Sequence, residues 1–276
     1  MIFDSHAHYE DKRFAPDRDE LLCAMRENNI GRIVNVGSTL DTSKQSVELA
    51  GQYEDIYAAV GIHPSEVAFP IDGEERNALS IKESVDVMPE VIKELKNLST
   101  NRKCVSIGEI GLDYYWDKEE DNHNLQKQWF KVQLELASRV NKPVIVHSRE
   151  ASKDTFDILK EAKSTLDTRA VVHCYSGSPE MAKEYVKLGY YIGVGGVVTF
   201  KNGRKLRETV EEIPLESILV ETDCPYMAPE PYRGKRNDST KLSYIVERIS
   251  NIKNISKEQV EEITWQNACS FYGIGM

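Results

Sequence analysis

Histidines and carboxylates in this chain occur in short segments that are typical of a metal site. His6 and His8 form a His-X-His pair, and on a strand both side chains would point to one face and could bind one divalent ion. Four more such residues follow short apolar runs: Glu109, His147, His173 and Asp223. Six ligands exceed what one zinc ion normally takes, so the set predicts two metal ions.

Each of these residues also has an ordinary structural interpretation. A single histidine at a strand end is more often a hydrogen-bonded structural residue, Asp223 could cap a helix, and Glu109 could form an ion pair. The joint pattern favours the metal site, because unrelated structural roles would not place all six residues at the same end of a barrel. Imidazole and carboxylate ligands fit zinc, manganese, nickel or cobalt, and magnesium activates many hydrolases, so the identity of the ion stays open.

Eight short apolar runs alternate with longer amphipathic stretches, and this alternation predicts a single (β/α)8 TIM barrel over residues 1–276. Active sites of such barrels lie at the carboxyl ends of the strands, which is where the six residues fall. The predicted strands are residues 1–4, 32–36, 56–60, 104–107, 143–146, 170–172, 190–194 and 217–220.

Several of the amphipathic stretches are specific enough to predict helices. These are residues 17–29, 125–140, 154–162, 241–249 and 256–272, together with a helix that opens at Ser178 and Pro179. Residues 66–89 are polar and contain prolines, and we expect a loop with a short helix there. His123 lies on a polar stretch and is expected at the surface.

Composition and charge narrow the class of protein. The net charge of −10 makes the chain a poor general binder of nucleic acid, so any phosphate must be held by local basic groups or metal ions. Five cysteines without a CxxC pair indicate reduced thiols in a cytoplasmic protein. The first residues show no basic region followed by an apolar run, so no signal peptide is expected, and the uncharged stretch at residues 188–200 is too short to span a bilayer.

Polar and glycine-rich segments follow most of the predicted strands in a characteristic order. They are Asp4-Ser5-His6-Ala7-His8, Gly61-Ile62-His63-Pro64, Gly108-Glu109-Ile110-Gly111-Leu112-Asp113-Tyr114, His147-Ser148-Arg149, His173-Cys174-Tyr175-Ser176-Gly177, Glu221-Thr222-Asp223-Cys224-Pro225-Tyr226 and Arg233-Gly234-Lys235. In this order they resemble the motifs of the TatD-type deoxyribonuclease family of the amidohydrolase superfamily, and the resemblance covers nearly the whole sequence. A departure follows Lys235, where the family usually continues with an Asn-Glu-Pro type sequence.

The resemblance implies a metal-dependent nuclease that shortens DNA from the 3′ end, with single strands or DNA ends as its substrate. It implies that one ion is held by His6, His8, Glu109 and Asp223, and the second by Glu109, His147 and His173. His63 would sit by the scissile phosphate, and phosphate contacts would come from Arg149, Arg233 and Lys235. In the mechanism that we expect, Asp223 accepts a proton from the attacking water. The basic residues at 233–236 fit an ordinary solvated turn equally well.

Two other functions use the same residues. The barrel and its metals could hydrolyse a small phosphoester, an amide or an aminoacyl ester on tRNA, or the protein could bind metal or a partner without catalysis. Many binuclear amidohydrolases have a carboxylated lysine after the fourth strand, where this chain has Glu109, which argues against a lactonase, dihydroorotase or urease-like enzyme. No obligate protein partner is predicted, and we expect a monomer.

Overall fold

Eight strands form one sheet in which the spatial order follows the chain order, β1 to β8. The computed structural model describes residues 1–69, 78–116 and 118–275. The strand pairs whose register is described are parallel. The strands are β1 Ile2–Ala7, β2 Ile30–Val36, β3 Ile56–Val60, β4 Cys104–Asp113, β5 Val144–Arg149, β6 Ala170–Val172, β7 Tyr191–Val194 and β8 Ile218–Val220.

Helices separate successive strands, as expected for βα units. Short 3-10 turns occur beside them, including Arg26–Asn28, which together with α1 covers most of the predicted helix 17–29. Within the described ranges the helices are α1 Arg18–Cys23, α2 Leu40–Gln52, α3 Ile81–Ser99, α4 Glu120–Arg139, α5 Ser152–Leu166, α6 Pro179–Lys187, α7 Arg204–Glu212, α8 Leu242–Lys253 and α9 Lys257–Tyr272.

Three strands extend further toward the site than predicted. The prediction ended β1 at residue 4, β4 at residue 107 and β5 at residue 146, where polar side chains begin, but the strands continue to Ala7, Asp113 and Arg149. All ten residues of β4 are buried, including the carboxylates Glu109 and Asp113. The ligand candidates on these strands are therefore held by the sheet itself.

The expectation of a loop with a short helix over residues 66–89 is wrong for its second half. Residues 70–77 lie outside the described residues. A helix begins at Ile81, where Ser80 and Glu83 form a capping box, and it continues through Pro89 to Ser99. The helix continues through Pro89 because buried residues on its inner face, such as Met88, pack against the rest of the unit.

The chain folds as two compact units. Unit 1 comprises Met1–Asn35 and Val171–Met276, and unit 2 comprises Val36–Ala170. The assignment of residues 1–276 to one domain stays a prediction. In unit 1, α9 packs on β1: the Phe3 ring lies 5.7 Å from Trp265 and 5.8 Å from Tyr272 between ring centroids, and the Tyr272 hydroxyl donates to the Ser5 carbonyl at 2.8 Å.

In unit 2, buried side chains of α4 hold the neighbouring loops in place. Gln133 makes two hydrogen bonds to the backbone of Ile62, at 2.7 and 3.1 Å, and so fixes the residue before His63. Gln126 does the same for Asp113, accepting from its backbone N–H at 2.8 Å and donating to its carbonyl at 3.0 Å. These amides satisfy buried backbone groups at the ends of β3 and β4.

Strands β4 and β5 approach each other unusually closely at Gly111, which pairs with His147. Gly111 has φ +142°, and a Cβ atom there would lie 2.0 Å from the His147 carbonyl oxygen. Only glycine tolerates both the backbone angle and the contact. The absence of a side chain at this position therefore sets the distance between the strands that carry Glu109 and His147.

Candidate metal centres

The first cluster lies in unit 1 and consists of His6, His8 and Asp223. The Nε2 atoms of the two histidines are 3.0 Å apart, and Asp223 Oδ1 lies 3.8 Å from His6 Nε2 and 3.5 Å from His8 Nε2. Two nitrogens bound to one tetrahedral zinc ion lie roughly 3.3 Å apart, given Zn–N bonds of about 2.0–2.1 Å. The donors of this cluster are therefore spaced as a single ion requires.

Backbone contacts between β1 and the segment after β8 hold Asp223 in this position. The Asp223 N–H donates to the His6 carbonyl at 2.9 Å, and the His8 N–H donates to the Cys224 carbonyl at 2.8 Å. Asp223 has φ +56°, a left-handed conformation that a residue with a side chain adopts only where its surroundings enforce it. Burial alone would raise the pKa of Asp223, but the His8 hydrogen bond and neighbouring imidazoles hold it below its usual value.

Two carboxylates next to this cluster, Glu10 and Asp4, bond to its residues or to their neighbours, and neither was predicted from the sequence to have a role. Glu10 Oε1 lies 3.4 Å from His8 Nδ1, which orients the ring. Asp4 is fully buried, and it accepts hydrogen bonds from the Thr222 hydroxyl at 2.7 Å and from the Ser239 hydroxyl at 2.6 Å. Burial raises the pKa of Asp4 to about 7 despite these bonds.

His173 also lies in unit 1, where its ring stacks on His6 with centroids 3.9 Å apart and planes inclined by 14°. His173 Nδ1 lies 3.5 Å from Glu221 Oε1, and the same carboxylate accepts from the Cys174 N–H. Glu221 therefore lies beside His173, a contact that was not predicted from the sequence. That His173 shares an ion with Glu109 and His147 stays a prediction.

The second cluster lies in unit 2 and consists of Glu109, His147 and His63. Glu109 Oε1 is 2.9 Å from His147 Nδ1 and 3.4 Å from His63 Nε2. Ligand atoms of the three residues lie within 4.8 Å of one another. Burial lowers the pKa of His63, which favours the neutral imidazole that can bind a metal. The structure thus places His63 among candidate ligands, whereas the sequence motifs predicted it only beside the phosphate.

Asp113 completes the second cluster. Its Oδ2 atom lies 3.0 Å from His147 Nε2, on the opposite side of the ring from Glu109. Burial would raise the pKa of Asp113, but the His147 hydrogen bond holds it below its usual value. The sequence carried a signal for this residue, because positions 109, 111 and 113 of a strand share one face.

The predicted phosphate contacts are exposed: Arg149 is the last residue of β5, and Arg233 and Lys235 lie in a loop. The Arg149 guanidinium carbon is 3.9 Å from the Tyr115 ring centroid, and that of Arg233 is 4.4 Å from the Phe200 centroid. Lys235 is exposed. Arg236 instead forms a salt bridge within the protein, because both of its terminal nitrogens pair with the Asp17 carboxylate, at 2.7 and 2.5 Å.

Two further positions bear on what the sequence suggested: His123 and the segment after Lys235. His123 is not a free surface residue: its ring is partly buried and stacks on Tyr114 with centroids 3.7 Å apart. After Lys235, where the sequence departs from the usual family pattern, Asn237 is buried and its side chain donates to the Thr222 carbonyl at 3.0 Å. The loop is therefore anchored beside Asp223 despite the departure.

A family model described as TatD related DNase matches residues 3–273. The chain belongs to the TatD DNase family. The metal-dependent hydrolase YabD of Bacillus subtilis is 38% identical over 274 residues, covering 99% of this chain and 100% of the relative. The metal-dependent hydrolase YcfH of Escherichia coli is 32% identical, covering 99% and 96%. This TatD-family chain is accordingly a metal-dependent hydrolase that acts on ester bonds.

Solved structures confirm the (β/α)8 barrel of this TatD-family chain. The TatD homologue YjjV of Escherichia coli superposes with a TM-score of 0.85 at 28% identity, covering 99% of this chain and 98% of that one. An organophosphorus hydrolase superposes with a TM-score of 0.64 at 12% identity, covering 99% and 92%, and this likeness concerns the fold alone. Among the described residues, no helix combines the length and the apolar composition needed to cross a lipid bilayer.

Proposed function

We propose that this chain is a deoxyribonuclease that hydrolyses phosphodiester bonds of DNA and shortens strands from the 3′ end. The observation that carries the proposal is the pair of histidine–carboxylate clusters, His6–His8–Asp223 and His63–Glu109–His147. The description of the family model, TatD related DNase, supports DNA as the substrate. The polarity rests on the resemblance of the sequence motifs.

Two divalent ions fit the donors of these clusters. His6, His8 and Asp223 would hold one ion, and Glu109 and His147 the other. The resemblance adds Glu109 to the first set and His173 to the second. When bound, such ions polarise a phosphodiester and lower the pKa of a water. Mixed imidazole and carboxylate donors accept zinc, manganese, nickel, cobalt or magnesium.

The residues themselves supply the remaining chemistry. Asp223 is held deprotonated by its histidine neighbours and accepts the proton of the attacking water. His63 contacts the scissile phosphate, and Arg149 donates to a phosphate oxygen as charge develops there. Because the whole chain has a net charge of −10, these local cations and the ions must supply the attraction for DNA. Arg233 and Lys235 are exposed and extend the set of phosphate contacts.

The test is cleavage of end-labelled single-stranded DNA by metal-stripped protein that has been reloaded with magnesium, manganese or zinc. We expect a ladder that shortens from the 3′ end, absent for His6→Ala and retained for His123→Ala, which lies outside both clusters. A ladder from the 5′ end would refute the polarity. Metal uptake without cleavage of DNA would refute the DNase, and turnover of a small phosphoester, an amide or an aminoacyl-tRNA would then identify the alternative.

A further inference from the structure

Two large aromatic side chains project into solvent directly after β4, next to the second cluster. Tyr115 is 40% exposed and Trp116 is 71% exposed. Their rings meet edge to face, with centroids 4.7 Å apart and planes inclined by 86°. Neighbouring aromatic surface left in water is typical of a binding site, because burying it would release considerable hydrophobic free energy.

The backbone under these rings is fixed to the metal cluster. Asp113 Oδ1 accepts from the Tyr115 N–H at 2.9 Å and from the Trp116 N–H at 3.4 Å. The other oxygen of the same carboxylate lies 3.0 Å from His147 Nε2. One carboxylate therefore contacts both a candidate metal ligand and the backbone that carries the aromatic pair.

A cation covers the same surface. The Arg149 guanidinium carbon lies 3.9 Å from the Tyr115 ring centroid and 5.4 Å from that of Trp116. No carboxylate among the described residues forms an ion pair with it, whereas the nearby Lys118 pairs with Glu150 at 3.0 Å. Arg149 thus brings a positive charge to the aromatic pair, with its planar face on one of the rings.

We propose that Trp116, Tyr115 and Arg149 form a stacking platform for an unpaired nucleobase of the DNA substrate. The base stacks on the Trp116 ring, and the Arg149 guanidinium binds a phosphate of the same strand. Stacking of this kind does not depend on sequence, since every base has an aromatic face. A base in a duplex is already paired and stacked, so the platform selects single strands and frayed ends. This inference rests on the proposed function.

The experiment measures equilibrium binding of fluorescein-labelled oligothymidylate to the metal-loaded protein, together with cleavage of the same strand. Trp116→Ala should weaken binding roughly 5- to 100-fold, the range expected for loss of one stacked base, and Trp116→Phe should restore most of it. Tyr57→Ala is the matched control, because Tyr57 in unit 2 is also covered by a cation, Lys103 at 4.7 Å, but lies on β3 before His63. It should bind like the wild type.

A strand with abasic nucleotides separates base stacking from phosphate contact. Wild-type protein should lose affinity for this strand, whereas Trp116→Ala should lose little more, because the stacked base is already missing. Equal binding by the wild type and Trp116→Ala overturns the platform even if DNA is cleaved. Trp116-dependent binding without any cleavage upholds the platform and overturns the proposed function. Absence of both binding and cleavage overturns both.

Discussion

At the scale of single residues, Asp223 combines an enforced backbone conformation with a deprotonated carboxylate. Asp223→Asn should reduce kcat on single-stranded DNA by about 10²- to 10⁴-fold, the contribution of a positioned general base. Most of the metal should remain, because His6 and His8 keep their places. Turnover and metal content by mass spectrometry check this, with the exposed Asp157→Asn as control. Wild-type turnover would remove Asp223 from the mechanism.

Substitution of Asp113 tests whether a carboxylate that contacts a candidate ligand affects metal binding. Asp113→Asn should lower zinc affinity about 10- to 100-fold, because the amide no longer raises the basicity of His147. Titration against a competing chelator measures the change, again beside Asp157→Asn. An affinity equal to that of the wild type would mean that the 3.0 Å contact between Asp113 and His147 does not tune the site.

The sequence predicted the residues that could bind metal better than the residues that orient them. Types and spacing were sufficient for His6, His8 and Asp223, because few other roles require such groups together. No role could be assigned to Glu10, Asp4 and Glu221 from the sequence, because their contacts depend on how the backbone folds. For Asp4, the contacting residue lies more than two hundred positions away. His63 was placed beside the phosphate on the family resemblance alone. Its contact with Glu109 depends on the 3-10 turn that follows β3, which the sequence did not predict.

At the scale of elements, the close approach of β4 and β5 depends on one glycine. Gly111→Ala should reduce the free energy of unfolding by about 3 kcal/mol or more, because the new methyl group would collide with the His147 carbonyl in a backbone conformation unfavourable to alanine. Urea denaturation followed by circular dichroism measures the change.

Gly51 provides the opposite case within the same unit. It lies in α2, and a Cβ atom there would meet nothing within 4 Å. Gly51→Ala should therefore increase the free energy of unfolding by about 0.5–1 kcal/mol. If both substitutions had the same effect, the contact at Gly111 would not be the cause of its destabilisation.

The strands were predictable from sequence, whereas three helices were not. Residues 40–52 received no helix because the inner face of α2 buries Ser43 and Ser46, whose hydroxyls donate to the carbonyls of Gly61 and Thr42. A buried face formed by serines produces no hydrophobic periodicity, so the pattern did not predict this helix. The charged helix α7 was missed for a similar reason, and in α3 the proline was taken as a helix breaker although neighbouring apolar residues pack the helix in place.

At the scale of the whole molecule, metal binding and protons compete for the same histidines. Burial alone would lower the pKa of His8, but hydrogen bonding to Asp223 and Glu10 raises it well above its usual value in the absence of metal. The stability that this proton contributes is present below the unfolded pKa and is lost as pH rises through the folded pKa. Metal loading should therefore raise the Tm more at about pH 8 than at about pH 6, since His8 must lose its proton to bind an ion.

Differential scanning calorimetry of stripped and zinc-loaded protein at both pH values checks this prediction. Zinc at a thousand times its Kd would add roughly 4 kcal/mol to the free energy of unfolding. His8→Gln should reduce the pH dependence of the difference, and His123→Ala should leave it as in the wild type. A metal-induced shift in Tm that is larger at the lower pH would contradict the assignment of His8 as a ligand.

The discontinuity of unit 1 has a consequence for biosynthesis. A ribosome releases His6 and His8 early, but their partner Asp223 follows more than two hundred residues later, and the helix α9 that covers Phe3 comes later still. Because chains fold as they emerge, unit 2 can become compact before Asp223 is synthesised. A chain that is terminated before Asp223 therefore cannot assemble the first cluster.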